Sequence, residues 1–199
     1  MELTERSVEL PWLIAHIGTP KRLLDIGSAD ATYLGILYEL CRELYLCDTR
    51  PFQPPVPAQK HVGSAHQLPS WWQGFDLVTC VSTLDHIGLD AYGNTVDETL
   101  LPAVVAEIER VLAPGGRLLL TVPFGRPQVT RHPRGGQRVF DEEGLLGPFA
   151  AERWTCLSSQ VWRCAGSTYA PATVEAVVDA GYLTWRAEAV IAVELSRLP

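Results

Sequence analysis

The stretch Arg22-Leu23-Leu24-Asp25-Ile26-Gly27-Ser28-Ala29-Asp30-Ala31 decides the fold of this chain. Arg22 to Ile26 is a short, mostly apolar run that ends on an acid and a glycine, which reads as a buried strand running into a sharp turn. Thr32 to Leu44 follows with Leu34, Leu37, Leu40 and Leu44 at helical spacing, and Leu44 to Cys47 is a second short strand that ends at Asp48. Strand, turn, helix and strand make a right-handed crossover unit, the building block of a parallel sheet.

The same rhythm continues outward. Upstream, Ser7 to Ile17 places Val8, Leu10, Leu13, Ile14 and Ile17 at helical spacing, and Gly18 with Pro20 stops it, so residues 1–20 are expected to form an N-terminal helix. Downstream, Pro51, Pro54, Pro55 and Pro57 exclude a helix, His61 to Gly63 is a short third strand, and Phe75 to Val81 is a fourth. Leu100 to Leu112 carries a helical apolar stripe that Pro114-Gly115-Gly116 ends, and Leu118 to Val122 is a fifth strand. In the tail, Trp154 to Cys164 and Ala189 to Leu195 read as strands around a short helix at Thr173 to Ala180. The expected fold is α/β and Rossmann-like: a doubly wound, mostly parallel seven-stranded sheet with an antiparallel last strand and helices on both faces. Residues 1–199 are expected to form one domain, with 124–140 a loop on the substrate side.

Composition narrows the function. The chain has 199 residues, 47% hydrophobic and 20% charged, enough for a sizeable core. A net charge of −7 argues against nucleic acid as a partner, because such binding draws on a basic surface. Five cysteines without a C-x-x-C pair suit reduced thiols in a cytoplasmic protein, and no apolar run is long enough to span a membrane. His61, His66, His86 and His132 lack metal-ligand spacing, so no metal is expected. The expected partner is a small molecule, and a homodimer stays open.

In an open parallel sheet, ligands bind beyond the carboxyl ends of the strands. That rule singles out Asp25 to Ala31, Asp48 and Ser82 to His86. Asp48 stands where a carboxylate accepts hydrogen bonds from ribose hydroxyls. A dinucleotide fingerprint needs glycine at 27, 29 and 32, but only Gly27 is present, and no phosphate-binding G-x-x-x-x-G-K-[ST] loop occurs.

Four blocks in this order resemble class I S-adenosylmethionine-dependent methyltransferases: Leu23 to Ala31, Asp48, Phe75 to Val81, and Leu112-Ala113-Pro114-Gly115-Gly116 running on to Pro123. The resemblance covers roughly residues 20–125. Asp85-His86-Ile87-Gly88 with Tyr92-Gly93, and Gln137 to Asp141, resemble a little-characterised bacterial branch, some of whose members are associated with sugar metabolism. The resemblance implies S-adenosylmethionine as cofactor. It implies that Asp25, Gly27, Ser28 and Ala29 border its methionine part and that Asp48 with Thr49 holds the ribose. Ser64, Ala65 and His66 then border the adenine, and Val81 and Ser82 close the strand-four side. Ala29 and Ala31 stand where the family has glycine, and Ser64 where it has an acid.

Methyl transfer is an in-line displacement, so a hydroxyl acceptor needs a base after the fourth strand. His86 is the candidate base and Asp85 its orienting carboxylate; the bland alternative is a helix cap beside a packed histidine. Tyr92 is a candidate substrate contact. Residues 124–140 hold Arg126, Arg131, Arg134, Arg138 and His132 with no acid. Arg131 and Arg138 are the candidates for capturing an anionic or sugar-derived acceptor, against the alternative of a solvated loop. Trp71 and Trp72 are read as core packing more readily than as an adenine shelter. The expected activity is methyl transfer to a small molecule. The second expectation is a non-catalytic module that binds S-adenosylmethionine or S-adenosylhomocysteine as a partner subunit. A nicotinamide oxidoreductase and an RNA methyltransferase are disfavoured by the broken fingerprint and by the acidic charge.

Overall fold

In a computed structural model, which describes residues 4–132, 135–183 and 185–199, the chain builds an eight-stranded sheet wrapped by helices. The elements in chain order are α1 (Arg6–Ile17), β1 (Arg22–Ile26), α2 (Leu34–Leu40), β2 (Glu43–Asp48), β3 (Gln59–Val62), β4 (Phe75–Val81), α3 (Leu100–Val111) and β5 (Leu112–Pro123). There follow β6 (Gln128–His132), β7 (Gly135–Val139), α4 (Glu142–Leu146), β8 (Trp154–Ala165), β9 (Thr168–Ala172) and β10 (Ala189–Arg197). The strand order is β3-β2-β1-β4-β5-β10-β8-β9. Strands β1 to β5 are mutually parallel, and β10 is antiparallel to both of its neighbours, β5 and β8.

Alternation along each central strand explains the double winding. Leu23, Leu77 and Leu119 point to the face covered by α1 and α2, where they meet Leu13, Ile17, Leu34 and Leu37. Leu24, Val78, Leu118 and Leu120 point to the opposite face and meet Val104, Val105 and Ile108 of α3. These leucines are almost wholly buried. Each contributes about 1.5–3 kcal/mol relative to exposure, so a one-residue slip of any central strand would forfeit both cores at once.

The structure departs from the sequence expectation in four places. The sheet has eight strands because β9 pairs with β8 as an added edge. Residues 124–140 contain an antiparallel β6–β7 hairpin instead of an open loop. Only a single 3-10 turn, Glu175–Val177, forms where a helix was expected. The Pro114-Gly115-Gly116 segment bulges inside β5: Leu112 pairs with Phe75, and Arg117 then pairs with Leu77. No helix among the described residues is long and apolar enough to cross a membrane.

Candidate functional site

The carboxyl ends of β1, β2 and β4 open into a cleft of about 210 Å³. Gly27 makes the turn after β1 at φ 93°, and its N–H donates to Cys47 O at 2.8 Å. A Cβ at this position would fall 2.0 Å from Thr83 Oγ1, so both the backbone angle and the space require glycine. Below the turn, Asp25 is fully buried and accepts hydrogen bonds from Thr79 Oγ1 (2.7 Å), Ser28 Oγ (2.8 Å) and Tyr33 Oη (3.2 Å). Burial raises its carboxyl above the ordinary range against the pull of those donors, and burial beside Asp25 raises the Tyr33 phenol.

Asp48 is engaged on both oxygens. Ala29 N–H donates to Oδ2 at 2.9 Å, Arg50 N–H to Oδ1 at 2.9 Å, and the Arg50 guanidinium grips both through Nε and Nη2 at 3.1 Å. The same guanidinium reaches Asp30 Oδ2 at 2.7 Å and lies 4.3 Å from the centre of the Tyr92 ring. Tyr92 holds this position at φ 54°, a left-handed conformation that costs a non-glycine residue about 1–2 kcal/mol. At the adenine side expected from sequence, Ser64 Oγ lies 2.6 Å from His66 Nδ1.

Helix α1 supplies the floor. Glu9 is fully buried and accepts from Ser82 Oγ (2.6 Å), Thr121 Oγ1 (2.7 Å) and Arg6 Nη1 (3.0 Å). Ser82 itself sits at φ 43°, pinned by that bond. Burial pulls the Arg6 guanidinium down, but Glu9, Tyr33, Asp85 and Glu5 outweigh it and raise it overall.

On the acceptor side, Gly136 O accepts from His86 Nδ1 at 2.8 Å, so that nitrogen carries a proton. His86 Nε2 lies 3.5 Å from Asp85 Oδ2, which also accepts from Gln137 Nε2 at 2.9 Å. Both ring nitrogens of His86 therefore face acceptors, an arrangement that positions the ring more than it frees a lone pair. The ring meets Tyr92 edge-on at 5.2 Å.

Of the residues singled out from sequence, Gly27, Asp48, Thr49, Ser64, Ala65, His66, Ser82, His86 and Tyr92 line the cleft. Asp25, Ser28, Val81 and Asp85 are buried behind this lining, and the half-buried Ala29 supports it through its N–H to Asp48. Arg131 and Arg138 do not line it: Arg131 pairs with Asp90 at 3.0 Å, and Arg138 donates to Ile87 O at 3.3 Å and lies over Phe140. Arg134 lies outside the described residues. Trp72 is buried against Tyr45 and Phe75, whereas Trp71 is exposed. Sequence reasoning missed Arg6, Glu9 and Arg50, and it quoted Gln137 in a block without giving it a partner. Arg50 was detectable as a cation two residues beyond the acid that ends β2, but Glu9 and Gln137 depend on long-range packing. Among the described residues no group of three His, Cys, Asp or Glu side chains could hold a metal.

Residues 24–120 match the family model of a methyltransferase domain. No curated protein matches the sequence. Among solved structures, the N-methyltransferase NodS from Bradyrhizobium japonicum with S-adenosyl-L-homocysteine aligns over 98% of this chain and 86% of its own, at 18% identity and TM-score 0.61. The 1,6-didemethyltoxoflavin-N1-methyltransferase of Burkholderia thailandensis aligns over 95% and 76%, at 17% identity and TM-score 0.63. A methyltransferase from Methanosarcina mazei aligns over 100% and 99%, at 15% identity and TM-score 0.65. Residues 24–120 thus carry a methyltransferase-domain pattern, and the chain has the Rossmann-like fold of these solved methyltransferases. Two of these neighbours, NodS and the Burkholderia enzyme, hold S-adenosylhomocysteine.

The residues are compatible with that group: Gly27 leaves room for close approach, and the Asp48 carboxylate is buried at the end of β2. Gly27 and its neighbours would border the methionine part, Asp48 the ribose, and Ser64 with Ala65 the adenine. When bound, the cofactor supplies an electrophilic methyl group.

Proposed function

We propose that this protein is an enzyme that transfers a methyl group from S-adenosylmethionine to a small-molecule acceptor. The observation that carries the reading is the cleft at the carboxyl ends of β1, β2 and β4, with Gly27 at its turn and Asp48 at the end of β2. In this reading the protein's part is to hold the acceptor in line and exclude water. His86 and Tyr92 border the acceptor, and Asp85 with the Gly136 carbonyl orients the His86 ring. The Arg-rich hairpin covers the acceptor from the solvent side, and the anionic or sugar-derived acceptor expected from it would be reached through Arg131 or Arg138 after their present partners part. The acidic net charge supports a small substrate over nucleic acid, and the five free cysteines support a cytoplasmic setting.

Calorimetric titration with S-adenosylmethionine, S-adenosylhomocysteine and NAD tests this. Micromolar binding of the first two, none of NAD, and collapse in Asp48→Ala are expected. Tight NAD binding, or no binding of either sulfur ligand, would refute it. The second reading, a binding module without turnover, is favoured by one observation, the Arg50 guanidinium seated on Asp48. Binding without methyl release across a broad acceptor screen would select it.

A further inference from the structure

Two arginines line the cleft, and they are held differently. Arg50 is tied to Asp48 and Asp30, both cleft residues, at 2.7–3.1 Å. Arg6, in the first turn of α1, is gripped from behind: its Nη1 donates to Glu9 Oε2 at 3.0 Å, and the Glu9 side chain is fully buried while that of Arg6 is 42% exposed. A guanidinium carries five N–H donors in one plane, and the other four of Arg6 meet no acceptor among the described residues. Glu5 and Asp85 also lie near enough to favour its charge, but Glu5 accepts from Ala187 N–H and Asp85 from Gln137, and neither takes a hydrogen bond from it. Glu9 fixes more than the arginine. Its Oε1 accepts from Ser82 Oγ and Thr121 Oγ1, which ties α1 to the ends of β4 and β5. The guanidinium is thus positioned in advance, so a ligand that meets it loses little further side-chain freedom.

We propose that Arg6 is the carboxylate subsite of the cleft, with Glu9 its positioning residue. The inference rests on the methyltransferase reading and deepens it. The strand order gives the subsite its place: from β3 to β4 the cleft is lined in turn by Ser64 and His66, by Asp48, by Gly27, and by Ser82 and Thr83 with Arg6. A ligand with its ribose at Asp48 and its chain passing Gly27 would reach Arg6 with the end farthest from its base. A carboxylate matches the Nε and Nη2 edge of the guanidinium, which Glu9 leaves open, through two parallel N–H donors. Two carboxylates have this chemistry, that of the cofactor's amino-acid part and that of an acidic acceptor. Arg131 and Arg138 line no part of the cleft and hold partners elsewhere, whereas Arg6 meets an anion there with no partner to part from.

Calorimetry on the full chain compares S-adenosylhomocysteine with 5′-methylthioadenosine, which keeps the nucleoside and the sulfur but lacks the amino-acid part. Ligand-observed NMR, with S-adenosylhomocysteine saturating, compares benzoate with benzyl alcohol. Arg6→Gln is expected to weaken S-adenosylhomocysteine about tenfold, as befits a charge-assisted pair at a partly exposed site. Arg6→Lys should weaken it less, because it keeps the charge and loses the fork, and methylthioadenosine should bind both variants as it binds the wild type. That pattern assigns the subsite to the cofactor's carboxylate. Unchanged S-adenosylhomocysteine, with benzoate but not benzyl alcohol weakened in Arg6→Gln, assigns it to the acceptor's. Loss of neither carboxylate overturns the proposal, and so does an equal loss of methylthioadenosine, which would make Arg6 a piece of wall. A thermal melt checks each variant's fold, and Arg6→Lys, which leaves buried Glu9 a cation, carries the comparison should Arg6→Gln unfold. Failure of the wild type to bind either nucleoside ligand sinks the methyltransferase reading instead, and benzoate then reports on Arg6 by itself.

Discussion

Replacing Arg50 by alanine should tighten cofactor binding and at the same time weaken the ligand-free fold. The Arg50 guanidinium makes two bonds of 3.1 Å to the Asp48 carboxylate, which ribose hydroxyls must displace in part. Hydrogen bonds to charged groups contribute about 1.5–3 kcal/mol. The Arg50 side chain is 28% exposed, and it keeps Asp30 and Tyr92 after letting go of Asp48, so the lower end of that range applies. At about 1.4 kcal/mol per factor of ten, Arg50→Ala should bind S-adenosylhomocysteine roughly tenfold more tightly. Without ligand, loss of the ion pairs and the ring contact should cost about 1–2 kcal/mol, or a fall in Tm of about 2–4 °C per kcal/mol for a chain of this size. Isothermal calorimetry and a thermal melt on the same preparation read both effects. Unchanged or weaker affinity would show that Arg50 is part of the cofactor's surroundings and not its competitor.

Four further outcomes are expected. Ser82→Ala should lower stability by about 1–2 kcal/mol in urea melts, because buried Glu9 loses a donor while the strained backbone remains; Ser82→Gly, which relieves the strain, should cost less. Gly27→Ala should abolish S-adenosylhomocysteine binding by calorimetry, and adding Thr83→Ala should recover part of the lost stability by removing the clash, though not the backbone strain. Cysteine titration with a thiol reagent should leave Cys47 and Cys80 unreacted at pH 8, since burial raises both thiols, Cys47 to about 12. For pH, burial raises Asp25 above the unfolded carboxylate value of roughly 4, so within that window the folded chain holds a proton the unfolded chain has lost. Relative to Asp25→Asn, the wild type should therefore lose stability as pH rises through the window and level off above it; a relative gain in the urea midpoint would contradict the assignment.

The inner parallel strands β1, β2, β4 and β5 were legible because they are apolar runs, buried on both faces and punctuated by Gly27, Asp48 and Pro114, whereas the edge strand β3 is polar and mostly exposed. The β6–β7 hairpin was not, because Gln128 to Val139 is polar, rich in Arg and Gly, and pairs with itself away from the main sheet. At Thr173 to Ala180 the apolar spacing of Val174, Val177 and Val178 suggested a helix. Pro171 and Gly181 leave too short a segment, and most helical stability comes from packing a longer face. Within the site, the acids that end strands could be placed from strand ends alone. Glu9 meets Thr121 across 112 residues and Gln137 meets Asp85 across 52, contacts that no local pattern encodes.

Strand β10, the last among the described residues, lies in the sheet interior between β5 and β8. During synthesis, β5 and β8 therefore emerge from the ribosome with their pairing edges bare, about seventy and twenty-five residues ahead of the strand that joins them. A chain interrupted before Ala189 would carry two open edges, one of them the apolar Leu118 to Val122, ready to pair with other chains. Chaperone dependence and aggregation in cells should thus be governed by this closing strand more than by anything at the cofactor cleft.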